Sequence, residues 1–265
     1  MLQIWITITA LLTGGGAADD PTPPRWGSVG HEMAARTATA ALPSAMPAFF
    51  RGAADQLVYL DPEPDRWRNF ELREMDQAWS YDHYVDLENV PDGALDTPDR
   101  FEFLKALYDA GLEKPERDGG FLPYRIIEVY QRVVTEWRMW RSEDDTQKKQ
   151  WIEARILNDA GILGHYVTDA SQPHHTTIHF NGWSAGAPNP EGFSNNRSFH
   201  SRFESAFVEA HVTQADVDGQ AGRGSPASVA GAARAAVWAY IEESHSHVVQ
   251  LYRLDRDIGF DPSAP

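Results

Sequence analysis

The 265-residue chain contains no cysteine. Disulfide bridges, thiolate metal ligation and a cysteine nucleophile are therefore excluded, and any metal must be held by nitrogen and oxygen ligands. Basic residues are sparse: 23 Lys and Arg stand against 39 Asp and Glu, a formal net charge of −16. That balance argues against a passive duplex-binding module, which needs a basic footprint. It leaves room for an enzyme whose bound cations supply positive charge locally. Period-two alternation and internal repeats are both missing, so no strand pattern competes with a helical reading. The apolar run Leu2–Leu12 is too short to span a bilayer, and no Lys or Arg precedes it. The small residues Gly14 to Ala18 follow it, and together they predict a secretory signal with an atypical n-region. The expected address is secreted or periplasmic.

What the chain does have is a substantial apolar fraction, 42%, with nine Trp, enough to bury a core. It also has ten His. Apolar residues recur at helical spacing over Gly30–Leu42, Pro98–Ala110, Leu122–Trp140, Thr146–Thr168, Ser198–His211 and Ser228–Leu251. Connectors are expected at 52–65, 86–97, 112–121 and 171–197. The reading is one all-α domain over residues 26–252. A signal peptide and short pro-segment (1–25) precede it, and a surface tail (253–265) without helical period follows it.

The second half of the Thr146–Thr168 helix is apolar nearly all round, so it belongs in the middle of the molecule. On it His165 and Asp169 are four apart and project from one face. A buried helix carries such a pair only if a structural partner or a metal satisfies it. The next helix repeats the spacing with His200 and Glu204, and Gln172-Pro173-His174-His175 lies between. Either pair alone is equally well a His–carboxylate ion pair. Two such helices joined by a His-bearing turn suit Zn²⁺, which accepts imidazole nitrogen and carboxylate oxygen. Upstream stand Trp26 and His31, Asp65 with Arg68, and Asp82-His83-Tyr84-Val85-Asp86. Of the remaining His, His174 is expected to face away from the cluster or to support it. His179 and His211 are expected at the surface, and His245 and His247 point to different faces.

The order Trp26, His31, Asp65, His83, His165-x-x-x-Asp169, His175, His200-x-x-x-Glu204 resembles the superfamily that joins bacterial zinc phospholipases C to the single-strand-specific nucleases. The resemblance implies an all-helical domain with a trinuclear zinc cleft. Asp65, His83, His165 and Asp169 would hold one zinc. Asp169 would bridge to a second, completed by His31 and the amino group and carbonyl of Trp26. His175, His200 and Glu204 would hold the third. Asp65 would help activate the attacking water and Arg68 would contact phosphate, while Tyr84 and Asp86 fall where the nucleases bind a base. Asp61 competes with Asp65 for the first zinc.

The implied activity is phosphodiester hydrolysis on a phospholipid or on single-stranded nucleic acid. Phe199 to Glu204 looks like the phospholipase C version, whereas the spacing of Trp26 to His31 and the Asp65–Arg68 pair look like the nucleases. A lipid substrate brings peripheral membrane contact with it, for which Ile178, Phe180, Trp183 and Phe193 are candidates; alternatively they pack the long loop onto the body. No protein partner is implied. The competing class is a catalytically silent zinc-binding relative.

Overall fold

The structure, a computed structural model, describes residues 27–221 and 232–263. The expected signal, pro-segment and Trp26 lie outside these residues, as does the start of the helix expected from Ser228. Among the described residues every regular element is a helix, with no β-strand beyond an isolated bridge between Phe180 and Gly182. None of their helices is long and apolar enough to cross a membrane.

In chain order the helices are α1 (Ser28–Ala40), α2 (Ala48–Arg51), α3 (Ala54–Leu60), α4 (Glu63–Arg66), α5 (Arg73–Trp79), α6 (Arg100–Asp109) and α7 (Pro115–Gly119). Then come α8 (Leu122–Ser142), α9 (Thr146–Ser171), α10 (Phe199–Ser201), α11 (Val208–His211), α12 (Gln214–Gln220), α13 (Ala233–Ser246) and α14 (Val248–Ile258). A π-helical stretch, Arg202–Phe207, joins α10 to α11.

The α8/α9 hairpin organises the molecule. Its three-residue turn ends at Asp145, whose carboxylate caps α9 by accepting from the Lys148 N–H at 2.9 Å. So short a turn forces the helices antiparallel. The register shows this, with Trp140 bonded to Glu153 at 2.8 Å and Arg132 to Asp159 at 2.8 Å. The broad stripe on α8 (Ile126, Val129, Val133, Trp137) meets Ile152, Ile156 and Tyr166 of α9 in the main core. A smaller core gathers Phe193, Phe199, Phe207, Leu251, Tyr252 and Phe260. Tyr166 of the first core touches His83 and His165, and Phe199 of the second touches His174. The histidines therefore lie along the seam between the two cores.

Four expectations need correction. Residues 52–65 hold α3 and nearly all of α4, and 112–121 hold α7. Pro64 and Pro115 sit in first turns, where the missing N–H costs nothing, so they start helices and do not break them. The last helix is interrupted at His247. The expected tail is part of the fold: α14 runs to Ile258, Asp255 pairs with Arg202 at 2.7 Å, and Phe260 is fully buried. His179 and His211 are also buried. His179 stacks on Trp183 at 3.8 Å between centroids, and His211 bonds the Asp261 carbonyl at 3.0 Å.

Candidate metal centre

Asp169, in the last turn of α9, is the hub. Its Oδ2 lies 3.1 Å from His83 Nδ1 and 3.2 Å from His165 Nε2. Its Oδ1 lies 3.0 Å from His175 Nδ1 and 3.4 Å from His31 Nε2. Four imidazoles from four segments thus converge on one carboxylate: α1, the short turn Ser80–His83, α9 itself, and the turn Pro173–Thr176. Pro173 ends α9 and sets that last turn, which brings His175 back over Asp169.

Asp65 Oδ1 completes the first group, 3.7 Å from His83 Nδ1 and 4.0 Å from His165 Nε2. The two imidazole nitrogens are themselves 3.0 Å apart. Asp65, His83 and His165 therefore form one group able to hold a metal ion, and Asp169 Oδ2 flanks it at 3.1 and 3.2 Å from the two imidazoles. Four N/O ligands about 2.05 Å from a zinc ion stand about 3.3 to 3.4 Å apart. The donor set fits as well. Neutral imidazoles and carboxylates that face one another are lone pair against lone pair unless protons or a cation separate them. His31, His165 and Asp169 form a second group able to hold a metal ion, and His175, His200 and Glu204 a third. In the third, His175 Nε2 is 3.1 Å from His200 Nε2, and His200 also contacts Glu204.

The third group rests on a local feature that the sequence conceals. His200 and Glu204 keep their four-residue spacing, but the backbone between them passes from α10 into the π-helical stretch. Such bulges concentrate at functional sites. Gly27 packs against Glu204 on its other side, and its N–H donates to the neighbouring Ser205 Oγ at 3.2 Å. A Cβ on Gly27 would stand 2.8 Å from Glu204 Oε1, and its φ of +48° also favours glycine.

The electrostatics follow from burial against pairing. Burial alone pushes the Asp169 carboxyl up, but His165 and His175 overturn this and hold it well below the usual carboxylate range. Glu204 is held low in the same way by His200 and His175. Burial pulls His175 down, yet Asp169 and Glu204 carry it to about 10. His83, more desolvated than compensated, falls to about 4.

Other expected site residues are distributed around this centre. Arg68 stands 3.4 Å from Asp65, partly exposed. Tyr84, next to His83, is half-buried and donates its hydroxyl to the Arg117 carbonyl. Asp86 is buried, and desolvation with the nearby Glu88 and Asp118 pushes its carboxyl up to about 8. Asp61 does not join the first group; its carboxylate lies on His31. His174 is fully enclosed between Phe199 and Phe203, with neither ring nitrogen hydrogen-bonded. Of the four loop residues considered for membrane contact, Trp183 and Phe193 pack into the second core, Ile178 is half-buried, and Phe180 is 42% exposed. These buried His, Asp and Glu groups are therefore laid out as a centre that could hold metal ions. Comparison with protein-family models, curated proteins and solved structures gives no match.

Proposed function

We propose that this chain is a secreted zinc-dependent phosphoester hydrolase of the type shared by zinc phospholipases C and single-strand nucleases, closer to the phospholipases. The observation that carries the reading is the set of three adjoining groups, Asp65, His83 and His165, then His31, His165 and Asp169, then His175, His200 and Glu204, with Asp169 in contact with His83, His31 and His175. Asp65, His83, His165 and Asp169 would hold one ion, His31 and Asp169 with Trp26 a second, and His175, His200 and Glu204 a third. Zinc in these positions supplies positive charge that lowers the pKa of water and neutralises phosphoryl oxygens.

The chain's own residues divide the remaining work. Asp169 stays ionised and buried, holding the imidazoles in register. Asp65, 17% exposed against 1% for Asp169, is the ligand carboxylate that solvent and substrate reach, so it takes the proton of the attacking water. Arg68 places its guanidinium beside Asp65, where it orients a phosphoryl oxygen.

The lipid leaning draws support from exposed apolar residues. Phe180 reaches solvent with its ring 6.2 Å from that of His200, and Phe70 and Leu72, just after Arg68, are 85% and 53% exposed. Tyr84 and Asp86 beside His83 favour the second reading, a single-strand-specific endonuclease or nucleotidase. The alternative of another class is a silent zinc-binding relative. The test is zinc analysis of protein purified without chelator, followed by paired assays on phosphatidylcholine emulsion and single-stranded DNA. Asp65→Asn should abolish turnover on whichever substrate reacts and keep most of the zinc. Wild-type protein that binds zinc and hydrolyses neither would support the silent relative.

A further inference from the structure

Asp61 is 2% exposed and lies immediately after α3, yet it belongs to none of the three ligand groups. Its Oδ1 accepts from His31 Nδ1 at 3.0 Å, while the opposite nitrogen of the same ring, Nε2, faces Asp169 at 3.4 Å. The ring is also clamped in its plane, stacked on His165 at 4.2 Å and 15°. The other carboxylate oxygen has a seat prepared for it. A Cβ on Gly164 of α9 would stand 2.4 Å from Asp61 Oδ2, and one on Gly161, a turn earlier, 2.4 Å from the Leu60 Cβ. Two glycines on one face of α9 let the end of α3 approach closely enough to deliver this carboxylate.

We infer that Asp61 is a positioning residue for the metal position between His31 and Asp169. By accepting the Nδ1 proton it fixes the tautomer of His31, leaving the Nε2 lone pair directed at that position, and it raises the basicity of the ring. This rests on the metal-centre reading above and adds to it a support outside the ligand groups, one that α3 and α9 build jointly.

Three proteins test it: wild type, Asp61→Asn and Asp61→Ala, each titrated with zinc against a competing chelator. Asn keeps the shape and an acceptor oxygen, so it controls for folding, which circular dichroism of the zinc-free proteins checks. The expected result is that one zinc weakens by about 10- to 100-fold in Asp61→Ala and by less in Asp61→Asn, the others keeping wild-type affinity. Imidazole ¹⁵N shifts of zinc-loaded wild type should show His31 protonated at Nδ1. Folded variants that bind every zinc as wild type does would overturn the inference and leave the centre standing. A wild type that binds no zinc would overturn both.

Discussion

If the proposed zinc centre forms as assigned, replacing Asp169 by Asn should remove most of the stability that bound zinc would confer. In the proposed assignment Asp169 serves two of the three ions: it belongs to the group with His31 and His165, and its Oδ2 lies 3.1 and 3.2 Å from His83 and His165 of the Asp65 group. The third group, His175, His200 and Glu204, does not include Asp169 and meets it through the 3.0 Å contact between His175 Nδ1 and Asp169 Oδ1. At free zinc about 100-fold above each dissociation constant, one site stabilises the native state by about 2.7 kcal/mol. Loss of two sites therefore removes about 5 kcal/mol of zinc-induced stability. For a chain of this size that corresponds to about 10–20 °C in Tm. The assay is thermal unfolding of each protein with and without zinc. Comparing the zinc increment within each protein cancels any change that the substitution makes to the metal-free fold. The variant should retain about one third of the wild-type increment, since Asn still offers His175 an acceptor. An undiminished increment would refute the assignment of Asp169 as the shared ligand.

Other perturbations test separate parts of the structure. Arg68→Ala should lower kcat on the preferred phosphodiester by about 100-fold with zinc content unchanged, as removal of an anion-stabilising donor does. Phe260→Ala empties a fully buried site against Phe203 and Phe207 and should cost about 3–5 kcal/mol in denaturant unfolding; a negligible loss would restore the idea of a loose tail. Glu136, buried beside Asp159, has its carboxyl raised by desolvation and by that neighbour to about 7. Its native form thus holds a proton that the unfolded chain has released, so its contribution to stability falls as pH rises from about 4.5 to about 7. Glu136→Gln should flatten that part of the stability profile, and an unchanged slope would assign it to another group.

The site was more legible than the scaffold that builds it. Each expected ligand is weak alone, the two four-residue His–carboxylate pairs included, and it is their order along the chain that carries the reading; the structure gathers His31, Asp65, His83, His165, Asp169, His175, His200 and Glu204 into three groups. Asp61 and Asp65 could not be separated by sequence, because both fall at the ends of short helices with Pro62 and Pro64 between them. Only the packing of α3 on Gly161 and Gly164 sends one to His31 and the other to His83. The π-helical turn at Arg202–Phe207 leaves no mark in the spacing of apolar residues. In α14 the buried positions Val248, Leu251, Tyr252 and Asp255 do keep a helical period. The pattern was hidden because its last member is a carboxylate, buried through its ion pair with Arg202. His179 and His211 were misplaced for a similar reason: a ring stack and a carbonyl distant in sequence satisfy them, and neither is visible locally.

The most direct test of the central claim is native mass spectrometry of the mature protein purified without chelator, which reads the amino terminus and the bound zinc together. The account predicts about three zinc ions on a chain beginning at Trp26, with loss of zinc as pH falls through the range in which the His ligands take up protons. A folded protein that carries no zinc, and takes up none when it is supplied, would contradict it.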